Sequence, residues 1–224
     1  MKIIDITGPI YEGMWDFGFE NGQFKLRELN YEYNDEPYYH EGLDGMVGST
    51  GTFLETGATY LGYEKSISVD KIPVEKLVNA DAYVLQTPFD NLKERDDRKY
   101  ISLEDIKGAE KDTIPKKAAI IVSTGYGQNW KKKDYMAKSP FFKKDAFDYL
   151  LDKEPFLIAS DFAVWDNSVQ PEGFLKRLYH SGVFVLVSCI NLEKISKYKV
   201  TLTALPIKVL NVCMCPTRAV VIEQ

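Results

Sequence analysis

The chain has 224 residues, of which 45% are hydrophobic, 27% charged and 13% aromatic. That suits one α/β or β-rich domain and excludes intrinsically disordered and fibrous classes. Twenty-eight basic against 33 acidic residues leave a formal charge of −5, which argues against a nucleic-acid-binding face.

The cysteine and histidine inventory narrows the chemistry further. The three cysteines, Cys189, Cys213 and Cys215, all fall late in the chain, which speaks against a disulfide framework and for a reducing, cytoplasmic setting. The opening MKIIDITGPIYEG has no apolar leader region, and no apolar run approaches the length of a membrane span. Only His40 and His180 are present, so a zinc site of three histidines is excluded.

In chain order, Lys2 to Ile6 is a β-branched run closed by Thr7, Gly8 and Pro9, the pattern of an opening strand and turn. Gln23 to Tyr33 alternates apolar and polar residues with one slip near Glu28, which predicts a half-buried antiparallel strand with a bulge. Ser49 to Tyr60 is small and punctuated by glycine, so its backbone is expected to lie close to another segment. Pro73 suits a first helical turn, and Ala82 to Leu85 reads as a buried strand. Asp90 to Arg98 is dense in charge and reads as a solvated loop, while Ser102 with Asp105 resembles a capping box. Ala118 to Ser123, Phe156 to Ser160 and Val183 to Ile190 read as buried strands. Lys143 to Leu151 and Phe174 to His180 are helix-like, and Tyr198 to Leu205 and Ile207 to Ile222 supply the remaining strands. No linker or repeat divides the chain, so residues 1–224 are expected to form one mixed α/β domain.

Several of these pieces resemble, in order, the cyclase family of metal-dependent hydrolases, which includes kynurenine formamidase and isatin hydrolase. They are IIDITGPIYEGM, GTFLETGA, IPVEKLV, VSTGYGQNW, AFDYLL with LIASDFAVWD, GVFVLVSCINL, LTALPIKV and PTRAVVI, which together span nearly the whole chain. The resemblance implies an architecture of mixed β-sheets with flanking helices, a homodimer or homotetramer, and hydrolysis of amides, esters or lactones with zinc or manganese. The family's hallmark is His-x-Gly-Thr-His-x-Asp-x-Pro-x-His, whose imidazoles and carboxylate hold the metal while the last histidine carries protons. Matching on Gly51-Thr52 puts Ser49 and Phe53 at the first two histidines, Glu55 at the aspartate and Thr59 at the final histidine. Further on, Leu175 stands at a helix histidine and Val187 at a strand glutamate. Glu55 alone keeps a ligand-capable charge, so the metal is not expected. The preferred expectation is a degenerate site that binds a small molecule or plays a structural part. The alternative is an active hydrolase of small, aromatic amides of the arylformamidase kind, using Glu55 with His40 or a weakly held divalent ion.

Several residues admit two readings. Glu55 is either catalytic or satisfied by the hydroxyls of Thr52 and Thr59. Asp161 and Asp166 suit loop hydrogen bonding more than ligand contact. His180 lies five residues beyond Leu175, about 140° away around a helix, and is expected to point elsewhere. Cys189, two residues after Val187, is expected to share its side of the strand as a buried thiol. Cys213 and Cys215 read as packing residues, and Lys131 to Lys133 as a solvated face. The tyrosine-rich stretch Tyr31 to Tyr39 suits an oligomer contact or plain surface equally.

Overall fold

The structure is a computed structural model that describes residues 1–18 and 22–223. Strand β1 (Lys2–Asp5) opens the chain. A hairpin arm follows, built from β2 (Lys25–Glu28), β3 (Tyr31–Tyr33), β4 (Glu36–Tyr38) and β5 (Glu41–Asp44). Next come β6 (Phe53–Glu55), the short helix α1 (Ala58–Leu61), β7 (Ala80–Gln86), β8 (Lys93–Arg95), β9 (Arg98–Ile101) and α2 (Leu103–Ala109). The second half holds β10 (Ala119–Ser123), β11 (Phe141–Phe142), α3 (Lys144–Asp152), β12 (Leu157–Ser160), α4 (Leu175–Ser181), β13 (Phe184–Val187), β14 (Lys199–Pro206) and β15 (Met214–Glu223).

Eight strands form one sheet in the order β1-β15-β14-β7-β10-β12-β13-β6, and β15 pairs with β6 to close it into a barrel. The pairs β7–β10, β10–β12 and β12–β13 are parallel, whereas the remaining strands join antiparallel. Strands buried on both faces read as continuous apolar runs, which is why AIIVS and LIAS were recognisable. Their alternation feeds two cores. Ala82, Val84, Ala119, Ile121, Leu54 and Leu186 fill the barrel, and its many alanines suit a narrow interior. Tyr83, Ile120, Val122, Phe53 and Val187 face outward into a layer built on α2, α3 and a cluster of Phe142, Phe147, Trp165 and Phe174.

Ser102 Oγ accepts from the Asp105 amide at 3.3 Å while Asp105 Oδ2 accepts from the Ser102 amide at 2.8 Å, completing the capping box of α2. Helix α3 buries Ala146, Phe147, Leu150 and Leu151, as their spacing predicts. Gly51 has φ +74, and a Cβ at Gly57 would sit 2.7 Å from the Tyr179 carbonyl oxygen, so the glycine-punctuated segment does lie against other backbone.

Three expectations are corrected. Gln23 to Tyr33 is not half-buried: it splits into β2 and β3, which pair only with β5 and β4, and every residue from 25 to 41 is exposed. Asp90 to Arg98 is not simply a loop. It carries β8 and the start of β9, joined through Asp96 and Asp97 at positive φ, and Arg98 is buried. Cys189 does not share a side with Val187, because Ser188 adopts φ +59 and breaks the alternation: Val187 joins the outer core and Cys189 the inner one. Among the described residues no helix is long and apolar enough to cross a membrane.

Candidate functional site

The antiparallel pairing of β6 with β13 sets Glu55 beside Val185 and Phe53 beside Val187. Period-two alternation sends these four side chains outward and the intervening Leu54 and Leu186 inward. Helix α4 crosses over them with Leu175, Leu178 and Tyr179, and residues 163–166 with Phe17 complete the walls of a cleft of about 250 Å³. Phe17, Phe53, Trp165 and Tyr179 give it aromatic walls, and Phe17 meets Phe53 edge to face at 5.9 Å.

Polar groups in this cleft are few. Glu55 is 8% exposed. Burial pushes its carboxyl above the usual carboxylate range, against the pull of hydrogen bonds from the Thr59 and Tyr179 hydroxyls. Tyr179 donates to Glu55 Oε1 at 3.2 Å, and its own hydroxyl is raised by burial and by the adjacent carboxylate. The Tyr179 ring is held by parallel stacking on Tyr60 at 5.5 Å. Asp166, at the rim, accepts from the Asn167 and Glu172 amides and so serves its own loop. That loop is anchored from beneath by Arg98, whose guanidinium donates to the carbonyls of Ser139, Pro140, Val164 and Asp166.

The model of the family described as "Putative cyclase" matches residues 4–167 of the chain. The chain belongs to the cyclase family. Solved structures share its fold along nearly its whole length. A potential metal-dependent hydrolase with cyclase activity superposes with a TM-score of 0.75 at 22% identity, over 100% of this chain and 99% of that one. Isatin hydrolase A from Labrenzia aggregata, bound to benzyl benzoate, gives 0.80 at 18% identity over 98% and 93%. A predicted metal-dependent hydrolase from Bacillus stearothermophilus gives 0.72 at 20% identity over 98% and 97%. At these identities the likeness concerns the fold. Comparison with curated protein sequences finds no significant match.

Set against the hallmark of the cyclase family, the structure gathers Phe53, Glu55, Leu175 and Val187 around the one cleft. Ser49 lies instead in a small neighbouring cleft with Trp15 and Phe17, and Thr59 contributes only its bond to Glu55. Thr52 is no partner of Glu55: its hydroxyl accepts from the Gly8 amide and donates to the Ser188 carbonyl, tying β6 to β13. His40 sits out on the arm against Tyr31, and His180 Nδ1 faces the Lys176 carbonyl on the exposed side of α4. Asp161 is fully buried, accepts from the Thr124 and Gly125 amides and the Thr124 hydroxyl, and has its pKa raised by burial to about 6.

This donor set does not fit the zinc or manganese that the family implies. Phenyl, isobutyl and isopropyl groups at Phe53, Leu175 and Val187 offer no lone pair, and of the two carboxylates that line the cleft Asp166 is engaged by amides of its own loop. Among the described residues no three His, Cys, Asp or Glu side chains converge. Sequence reasoning missed Tyr179, although its position four residues after Leu175 places both on one face of α4. Phe17 and Trp165 carry no such signal.

Proposed function

We propose that this cyclase-family protein binds a small, neutral, largely aromatic molecule in the Glu55 cleft without a metal. The observation that carries the reading is the conjunction of Phe53, Leu175 and Val187 in one cleft at the places where the family keeps donors. Size supports it as well. An engineered apolar cavity of about 150 Å³ takes benzene, so about 250 Å³ suits one or two fused rings. Glu55 and Tyr179 would supply the polar recognition: a protonated Glu55 donates to a ligand carbonyl, and Tyr179 fixes the carboxyl's orientation.

The test is a thermal-shift titration with one- and two-ring aromatic carbonyl compounds, run on the wild type and on Leu175→Trp, which fills the cleft. Binding to the native state raises the melting temperature in proportion to ligand excess. The expected result is a shift that Leu175→Trp abolishes. Either no shift across the series or an equal shift in the filled variant contradicts the reading.

A second reading is favoured by the Glu55–Tyr179 contact: hydrolysis of an aromatic amide, ester or lactone by Glu55 acting as a base without metal. A carboxyl lifted by burial and held by a tyrosine is placed as acid–base residues often are. Turnover of an N-formyl or cyclic aromatic amide that disappears in Glu55→Gln supports it, and unchanged turnover removes it.

A further inference from the structure

The β8–β9 hairpin and the segment 126–138 face each other across a second cleft of about 320 Å³, which shares no lining residue with the Glu55 cleft. That volume lies at the lower end for small-molecule sites and suits a ligand of amino-acid size. Three carboxylates, Glu94, Asp97 and Asp134, and three ammonium groups, Lys99, Lys132 and Lys138, line it. Among the described residues none of the six belongs to an ion pair.

Two of these pairs would be expected from local geometry. Lys99 stands directly opposite Glu94 in the β8–β9 register, where opposite charges ordinarily meet. Its ammonium turns away instead, donating to the Phe89 and Asp90 carbonyls at 2.8 and 3.1 Å and lying 4.7 Å from the centre of the Phe89 ring. Lys138 follows Asp134 by four residues, and its amide donates to the Asp134 carbonyl at 2.9 Å, a helical turn that brings such side chains together. Its ammonium crosses the cleft to the Asp97 carbonyl at 3.3 Å. Glu94 and Asp134 thus stay open as acceptors beside Asp97, and Lys132 keeps its donors. Both walls are held in place. Asp96 and Asp97 form the hairpin's tight turn at φ +55 and +59, and Arg98 fastens its base to four carbonyls. Opposite, the buried Tyr126 donates to the Tyr135 carbonyl at 2.7 Å and packs on Phe89 at 5.0 Å.

We infer that this cleft binds a zwitterion, an α-amino acid with an aliphatic side chain, whose ammonium group is taken by the open carboxylates and whose carboxylate is taken by Lys132. A ligand with positive charge alone leaves Lys132 unanswered, and one with negative charge alone meets three unpaired carboxylates. A ligand carrying both charges answers both, and complementarity of that kind is what gives specificity. Lys99 already lies over the Phe89 ring and Tyr126 packs against it, so the apolar surface on offer suits an aliphatic side chain better than a stacked ring.

Isothermal titration calorimetry on the full chain with L-leucine tests this, beside 3-methylbutylamine and 4-methylpentanoate, which keep the side chain and lose one charge each. Leucine is expected to bind about tenfold or more tightly than either analogue. Asp134→Asn and Lys132→Gln are each expected to weaken leucine about fivefold or more. Both residues are exposed, and surface substitutions of this kind leave stability nearly unchanged, so lost binding reports on the site. Leu175→Trp, which fills the Glu55 cleft, is expected to leave leucine binding as it is. No binding of leucine at millimolar concentration, equal binding of the amine or the acid, full affinity in either charge variant, or loss of binding in Leu175→Trp would each overturn the inference.

Discussion

Tyr179 reaches Glu55 from α4, 124 residues away in sequence, and donates to its Oε1 at 3.2 Å inside a cleft walled mainly by apolar side chains, with Asp166 at the rim. With the Thr59 hydroxyl, which also bonds Glu55, the pair forms a polar spot on a mainly apolar wall. A carboxyl so placed holds its proton to higher pH than a solvated one does.

Stability should therefore depend on pH through Glu55. Its folded-state pKa is raised, so the native state holds this proton more tightly than the unfolded chain does, and the contribution is lost as pH rises from the unfolded value through the folded one. Glu55→Gln removes the titration while keeping an acceptor for Tyr179. Melting temperatures measured from acid to neutral pH should fall further for the wild type than for the variant. Parallel curves would show that Glu55 is not desolvated.

Arg98 holds the cleft's outer loop through four carbonyls and a planar fork that lysine cannot reproduce. Arg98→Lys is expected to lose about 2–4 kcal/mol from orphaned buried acceptors, read by denaturant melts. It should also weaken ligand binding at Trp165. A loss under half a kcal/mol would mean those carbonyls find other donors.

Ser102→Ala breaks one half of the capping box on α2. Loss of such a cap costs about 1 kcal/mol, or roughly 2–4 °C in the melting temperature of a domain of this size. Calorimetry checks this, and an unchanged transition would place α2 outside the cooperative unit.

Returning donors to the cleft should return the metal. With Glu55 in place, Phe53→His and Leu175→His together supply three ligands in one pocket, the minimum of the usual catalytic zinc site. The double variant is expected to retain about one equivalent of Zn²⁺ after desalting, measured by elemental analysis. Failure to retain zinc would show that the two positions do not converge as the cleft geometry implies.

The barrel was legible because its strands are buried on both faces, so AIIVS, LIAS and VFVLV announce themselves whatever surrounds them. The arm was misread for a related reason. Alternating Phe24, Leu26, Leu29 and Tyr31 looks like a strand with one buried face, but alternation records chemistry and not what covers it. At the site, Phe53, Glu55, Leu175 and Val187 were found through family order and do share a cleft. Of the hydroxyls expected around Glu55, Thr59 does bond it and Thr52 does not, while Tyr179 was missed because tertiary packing brings it in from α4. One residue, Ser188 at φ +59, undid the inference that Val187 and Cys189 face the same way.

Phe53, Leu175 and Val187 decide whether the cleft still takes a metal. Elemental analysis of the wild-type protein, as purified and after incubation with Zn²⁺ and Mn²⁺ followed by desalting, answers this directly. The expected result is far less than one metal per chain in both preparations, with the Phe53→His, Leu175→His variant retaining zinc in parallel. About one equivalent of metal bound to the wild type would contradict the account, because Phe53, Leu175 and Val187 could not then be the groups that decide what enters the cleft.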